Sequence, residues 1–312
     1  MSSSNVTRRN MLLGVSAATA GLLAPSSSPA KTTSKKNPFR YCLNMSTIRG
    51  QELSITDEID TAAKAGYDAI EPWLGKLNKY AEEGGSLKDL KKRIADHGMT
   101  VESAIGFANW IVDDDAKRAK GLEVAKHDMD VIKQIGGIRI AAPPAGARNT
   151  VDPMKAAERY RKLLEIGDEI GVVPQIEMWG GNKSIGRVST AIYIAIEAGH
   201  PNACFLGDVF HTYRGGSDFD GLKLLGPQAL QSFHMNDYPA DPPQETIRDQ
   251  HRVFTGDGIA PIKDILQGFL AVGATPALSL ELFNRDYWKR PALEVAKEGL
   301  AKMKKSVAAA IA

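Results

Sequence analysis

Cysteine is nearly missing, with two in 312 residues. Two cannot make the framework of a disulfide-stapled fold, and Cys42 and Cys204 both fall in stretches patterned as strands, where thiols pack as small apolar side chains. A charge excess of either sign is missing too, with 39 Lys and Arg against 37 Asp and Glu. Proteins that grip phosphate backbones carry a basic surplus to exchange for counterions, so no nucleic-acid partner is expected. Beyond residue 30 no apolar run approaches the roughly 20 residues of a membrane span. A glycine-rich phosphate turn is absent behind the first expected strand, where Asn44-Met45-Ser46-Thr47 stands instead; such a turn usually marks a doubly wound nucleotide-binding sheet.

What remains is an ordinary globular composition, 43% hydrophobic and 24% charged. The length admits two small domains or one large α/β barrel. The first 30 residues have their own character. Thr7-Arg8-Arg9-Asn10-Met11-Leu12 opens an apolar run to Leu23, and small residues with two prolines follow as far as Ala30. A basic start, a short apolar stretch and a small-residue site form an export signal, and the paired arginines resemble the twin-arginine type. The reading is a signal over 1–30 cleaved after Ala30, a linker over 31–38 and one domain over 39–312. It implies a periplasmic protein with no stable membrane insertion after cleavage. Removal of 1–30 leaves 37 basic against 37 acidic residues.

From residue 41 onward short apolar runs alternate with amphipathic stretches closed by glycine. Strands are expected at 41–44, 69–71, 100–105, 138–141, 172–177, 204–208, 230–234 and 277–281. Helices are expected at 54–66, 86–98, 113–136, 152–171, up to Gly199, 219–225, 261–272 and 291–307. Ser54 ahead of Asp57 and Glu58, and Asp152 ahead of Pro153, are helix-start signals. Eight such units without a compositional break predict a mainly parallel sheet, and about 270 residues is the size of a (β/α)8 TIM barrel.

Active sites of such barrels lie at the C-terminal ends of the strands. Four consecutive apolar strands end in Ile176-Glu177, Gly207-Asp208, Phe233-His234 and Leu280-Glu281, spaced 31, 26 and 47 residues apart. Any one of them could simply cap a neighbouring helix. Together, three carboxylates and an imidazole at one rim suit a single divalent cation that prefers oxygen, Mn²⁺, Mg²⁺ or Co²⁺, with Zn²⁺ also accommodated.

The sequence resembles the xylose isomerase-like TIM-barrel superfamily, the sugar-phosphate isomerase/epimerase group, and looks closest to its inosose isomerase-like and ketose 3-epimerase-like members. The likeness rests on Gly66-Tyr67-Asp68-Ala69-Ile70-Glu71, Gln175-Ile176-Glu177, Gly207-Asp208-Val209-Phe210-His211, Phe233-His234-Met235-Asn236-Asp237, Arg252-Val253-Phe254-Thr255-Gly256-Asp257-Gly258 and Leu278-Ser279-Leu280-Glu281-Leu282-Phe283. It implies metal-dependent proton transfer next to a carbonyl through an enediolate. Glu177 and Glu281 would be ligands and proton carriers, and Asp208 and His234 ligands only. It implies that His211, on the loop after the Asp208 strand, and Arg252 face a small sugar-like substrate. Glu71 could orient a sugar hydroxyl or support a ligand. Trp179, with Trp73, Phe107 and Phe283, could wall the sugar's carbon face. Family members form dimers or tetramers. No clustered basic residues mark a phosphate site, which favours an unphosphorylated sugar or keto-polyol.

Three rivals stand beside this reading. A lyase or dehydratase on a keto-sugar or dehydroshikimate-like substrate would share the metal site and the enolate. A non-catalytic sugar-binding protein would keep the pocket without needing two glutamates. An endonuclease IV-like protein would need further ligand histidines, and the early strand ends supply Glu71 but no histidine.

Overall fold

The computed structural model describes residues 37–312, so the expected export signal over 1–30 and most of the linker lie outside the described residues. Eight strands run as β1 (Tyr41–Asn44), β2 (Ala69–Glu71), β3 (Thr100–Val101), β4 (Arg139–Ala142), β5 (Val173–Glu177), β6 (Phe205–Asp208), β7 (Leu230–Met235) and β8 (Ala277–Leu280). They pair in the order β3-β2-β1-β8-β7-β6-β5-β4, every neighbour parallel. The two ends of that order meet through a 2.8 Å bond from the Ala141 amide to the Ala104 carbonyl. The Arg139 guanidinium adds a second tie, 3.2 Å from Glu102 Oε2. This is the α/β TIM barrel that the alternation predicts.

The helices between the strands are α1 (Ile55–Ala65), α2 (Leu74–Glu82), α3 (Leu87–Asp96), α4 (Asp115–Gln134), α5 (Pro153–Ile170), α6 (Val188–Glu197), α7 (Val209–Arg214), α8 (Ile262–Ala271) and α9 (Ala292–Ile311). Their ends follow local chemistry. Ser54 accepts the Asp57 amide at the start of α1, and Asp152 accepts the Lys155 amide ahead of Pro153 in α5. Gly66 and Gly171 close the same two helices in the left-handed region, at φ 93° and 82°. Phe233 points outward from β7 and packs edge-on against Phe269 of α8, while His234 and Ser232 alternate toward the barrel interior. Cys42 and Cys204 are free, buried thiols.

Parallel register fixes the site. Asp208 pairs with His234, Met235 with Leu280, and Asn44 with Glu71. Asn44, Glu71, Glu177 and Asp208, which end β1, β2, β5 and β6, and His234, next to last in β7, therefore share one rim with Glu281, which directly follows β8.

The chain departs from the sequence expectation in three places. The strand expected at 100–105 is regular only over Thr100–Val101 and resumes as a single parallel bridge between Ile105 and Trp73. Helix α2 carries no capping side chain at Trp73, so nothing local announced it. Helix α7 follows β6 without a loop, since Asp208 is its N-cap and accepts the His211 amide at 2.7 Å. His211 is thus a helical residue and not, as expected, a loop residue.

The segment after β7 returns to the rim by a short antiparallel bridge. Asp237 and Val253 exchange backbone bonds of 3.0 and 2.9 Å, which places Arg252 beside the strand ends. The Asp237 carboxylate fastens the next turn by accepting the amides of Tyr238, Gly256 and Ala260. Gly258 packs so closely beneath it that a Cβ would lie 2.2 Å from the Tyr238 carbonyl oxygen and 2.3 Å from Asp237 Oδ1. Gly258→Ala is therefore expected to cost about 1–3 kcal/mol of stability by overpacking. A urea midpoint equal to that of the wild type would contradict this account of the turn.

Candidate active site and metal centre

Asp208, His234 and Glu281 are fully or nearly fully buried, and each offers a ligand atom within 4.8 Å of the other two. The neighbours of each residue set its role. Asp208 Oδ1 is taken by the His211 amide, and Oδ2 accepts Arg252 Nη1 at 2.8 Å and Asn236 Nδ2 at 3.2 Å. Burial works against its charge, yet the Arg252 guanidinium and the His211 imidazole hold its carboxyl well below the usual carboxylate range. It is fixed as an anion.

His234 is oriented from behind. Its Nε2 lies 3.0 Å from Glu71 Oε2, which also accepts Ser279 Oγ at 2.7 Å and Asn44 Nδ2 at 2.8 Å. This leaves Nδ1 aimed at the site, 3.1 Å from Glu281 Oε2 and 3.6 Å from Asp208 Oδ2, buried and without a hydrogen bond. Burial disfavours its charged form, but the Glu281 and Glu71 carboxylates prevail and push the imidazole well above its ordinary value. Around Arg252 and the two imidazoles stand Glu71, Glu177, Asp208, Asp249 and Glu281, more negative charge than those partners balance. An orphaned imidazole nitrogen between two carboxylates, in a surplus of acid, is a donor set that fits a divalent cation.

Glu177 stands outside the compact group of three. It is buried and lines a cavity of about 430 Å³ at the rim. Burial pushes its carboxyl up to about 8; Glu281 and Asp208 add to the rise, while His234 and the Trp179 indole oppose it. The expected four ligands thus divide into three gathered residues and one protonated acid facing the cavity.

Arg252 is completely buried at the centre. Its Nη1 donates to Asp208 Oδ2 and Glu281 Oε2, both at 2.8 Å, and its Nη2 donates to Asp249 Oδ1 at 2.6 Å. Its guanidinium lies 4.6 Å from the Phe210 ring centre and 5.1 Å from that of Phe283. His211 Nδ1 accepts the Gly180 amide at 3.2 Å, and burial lowers the basicity of the ring. The hydrogen-bond network therefore assigns the ring proton to Nε2. That atom lies 3.1 Å from Arg252 Nη2, so the two nitrogens sit side by side on the cavity wall. A ligand oxygen placed against the pair would lie within reach of both.

Aromatic rings enclose the cavity mouth. Trp73 lies 5.4 Å from Phe107 and 6.0 Å from Phe283, and Phe107 lies 6.1 Å from Trp179, between ring centres. Phe107 is 47% exposed, unusual for a large apolar side chain that only fills a core. Such a face suits the C–H side of a sugar. Glu71 does not reach this cavity; it lies behind His234. A second groove of about 460 Å³ between α4 and α5, lined by Arg118 and Arg159 among others, contains none of these residues.

Sequence reading passed over several residues at the centre. Asn44 obeyed the rule used for the others, a polar residue ending an apolar strand. Ser279 precedes Glu281 by two positions and so faces the same interior. Asp249 and Gly180 gave no signal, since loops put them in place.

The barrel's rim combines an aromatic-walled cavity of small-molecule size with a buried donor set that could hold a divalent metal. The chain belongs to the xylose isomerase-like TIM barrel family, whose pattern matches residues 59–306. It is 24% identical to an inosose isomerase of Bacillus velezensis over 268 residues, 83% of this chain and 94% of that protein. It is 23% identical to a 3-dehydroshikimate dehydratase of Pseudomonas aeruginosa over 249 residues, 79% of this chain but 39% of that protein. A crystal structure of the IOLI protein with a binding zinc atom superposes with a TM-score of 0.80 at 22% identity, covering 86% of this chain and 98% of that one.

Two expectations follow from the site. Glu71→Gln removes the anion that orients His234 and is expected to weaken Mn²⁺ binding about 10–100-fold with the fold retained; calorimetric titration giving wild-type affinity would refute it. Glu177 has a folded value of about 8 against an ordinary 4.5, so between those values the folded chain binds the extra proton. Its contribution to metal-free stability is full below about 4.5 and is lost as pH rises through about 8. Urea midpoints from pH 5 to 9 should fall less steeply in Glu177→Gln than in wild type, and parallel curves would count against this.

Proposed function

We propose that the chain is a divalent-metal-dependent isomerase or epimerase that moves a proton next to the carbonyl of an unphosphorylated sugar or keto-polyol. The observation that carries this reading is the pairing of Glu177 and Glu281 on one cavity in opposed environments. Glu281 accepts Arg252 Nη1 at 2.8 Å, whereas burial pushes the Glu177 carboxyl up to about 8. One carboxyl group paired with a guanidinium and another raised by burial, both lining one cavity, suit a base and an acid.

A divalent cation held by Asp208, His234 and Glu281, with Glu177 at its edge, would polarise a carbonyl and the neighbouring hydroxyl oxygen when bound. The protein's own groups do the rest. The aromatic mouth seats the sugar's carbon face and excludes water. His211 Nε2–H and Arg252 Nη2–H converge on one substrate oxygen and stabilise the negative charge that builds there. Glu281 takes the carbon-bound proton, and Glu177 gives its own either to the opposite face of the same carbon or, as the hydroxyl proton passes from one substrate oxygen to the other, to the neighbouring carbon. The first outcome is epimerisation and the second isomerisation. Exchange with water then resets both groups. The segment over 1–30 would bring the chain to the periplasm by the twin-arginine route.

The kinship with a dehydratase supports a second reading on the same residues, in which a β-oxygen leaves after proton removal. One experiment separates the two. Mature protein loaded with Mn²⁺ is incubated in D₂O with free ketoses, inososes and 3-keto-glycosides and followed by proton NMR. Deuterium is expected at a carbon beside the carbonyl, reduced at least about 100-fold in Glu281→Gln. Loss of a hydroxyl from the product would establish the lyase. Absence of exchange from every substrate, with Mn²⁺ bound, would leave a sugar-binding protein.

A further inference from the structure

Asn44 ends β1 with its side chain completely buried, and the reaction outlined above gives it no part. Its amide is fully engaged. Oδ1 accepts the Ser46 backbone amide at 2.9 Å and the Trp73 indole Nε1 at 3.0 Å. Nδ2 donates to Glu71 Oε2 at 2.8 Å and to Glu281 Oε1 at 3.2 Å. A carboxamide has two acceptor sites and two N–H donors, so nothing is spare. The reversed amide is excluded on chemical grounds, because it would turn an NH₂ toward two obligate donors and an oxygen toward two carboxylates.

Besides the local Ser46 amide, the three remaining partners belong to three parts of the site. Trp73 is wall of the cavity, Glu71 orients His234, and Glu281 carries the proton. Glu281 is clamped at both oxygens, Oε1 by Asn44 and Oε2 by Arg252. Two such bonds fix the plane of the carboxylate, which decides whether its lone pair points at the carbon-bound proton. We infer that Asn44 is a positioning residue that sets the carboxylate plane of Glu281 and ties it to the Trp73 wall, so that sugar seating and proton-transfer alignment are governed by one amide. This rests on the proton-transfer reading of Glu281.

The test uses the Mn²⁺-loaded mature chain as wild type, Asn44→Asp, Asn44→Ser and Trp73→Phe. Asn44→Asp keeps the shape and the acceptors for Ser46 and Trp73 but removes the donors to both glutamates. Asn44→Ser makes the same cut without a new carboxyl group, should the Asp variant fail to fold. Trp73→Phe removes only the indole bond. The two Asn44 variants are expected to lower kcat for deuterium exchange on the order of 100-fold, the usual cost of misaligned reacting groups. The Mn²⁺ dissociation constant should stay within about threefold in both, and the EPR spectrum of bound Mn²⁺ should change as Glu281 reorients. KM should stay within about threefold in Asn44→Asp and rise as in Trp73→Phe in Asn44→Ser, which also loses the indole's acceptor. Trp73→Phe should lower kcat less and raise KM. Wild-type kcat per bound Mn²⁺ in both Asn44 variants would overturn the inference, as would a loss accounted for wholly by lost metal. If wild type exchanges no deuterium with any substrate, the proposed reaction fails on its own, and an unchanged Mn²⁺ spectrum in Asn44→Ser would then overturn the positioning role as well.

Discussion

Carboxylates gathered in a dry place repel one another and lose their hydration, and the rim of this barrel holds Glu71, Glu177, Asp208 and Glu281, none of them more than slightly exposed. Such a cluster folds only if cations and donors are already in position to meet it. Arg252 bridges two of the acids, His234 faces three, and Glu177 avoids the conflict by keeping its proton. Much of what surrounds the site follows from this balance. The antiparallel return that delivers Arg252, the Asp237 knot that anchors the turn after it, and the Glu71, Ser279 and Asn44 bonds behind His234 all help bury these acids in one folded state.

The same balance yields chemistry. A group of like charges with one guanidinium among them suits a divalent cation, and the surroundings also separate Glu177 from Asp208 in basicity. Structural cost and catalytic capacity thus have a common source, as is usual where titratable groups are displaced from their ordinary values. The side-by-side nitrogens of His211 and Arg252 are another instance, because an arrangement that does not suit the free protein suits a substrate oxygen.

How much of this could be read from the chain depended on whether the cause was local. Glu177, Asp208, His234 and Glu281 stood out because an acid or imidazole at the end of an apolar strand conflicts with its surroundings, and parallel register then fixes where it goes. Helix ends at Ser54, Gly66, Asp152 and Gly171 were legible for similar reasons. Helix α2 was not, because tertiary contact and not a capping residue starts it. Helix α7 was hidden because Asp208 serves as strand end and helix cap together. Arg252, fourteen residues beyond the end of a loop-bound Tyr238, gave the weakest signal of position, since a backbone bridge between Asp237 and Val253 put it there. The division of the four expected ligands into three and one depends on burial, which no spacing in the sequence expresses.

That bridge also separates two kinds of change. Because Asp237 and Val253 are joined directly, the segment between them is a closed loop whose base does not depend on its contents. The cost of closing a loop grows only slowly with its length, so the largely exposed stretch 240–242 can be lengthened, shortened or replaced while Ile247, buried in the core, and Arg252, beside the base, keep their places. The architecture thus offers a variable loop tip above an unchanged acidic centre, a means by which the surroundings of one cavity can differ while its floor does not.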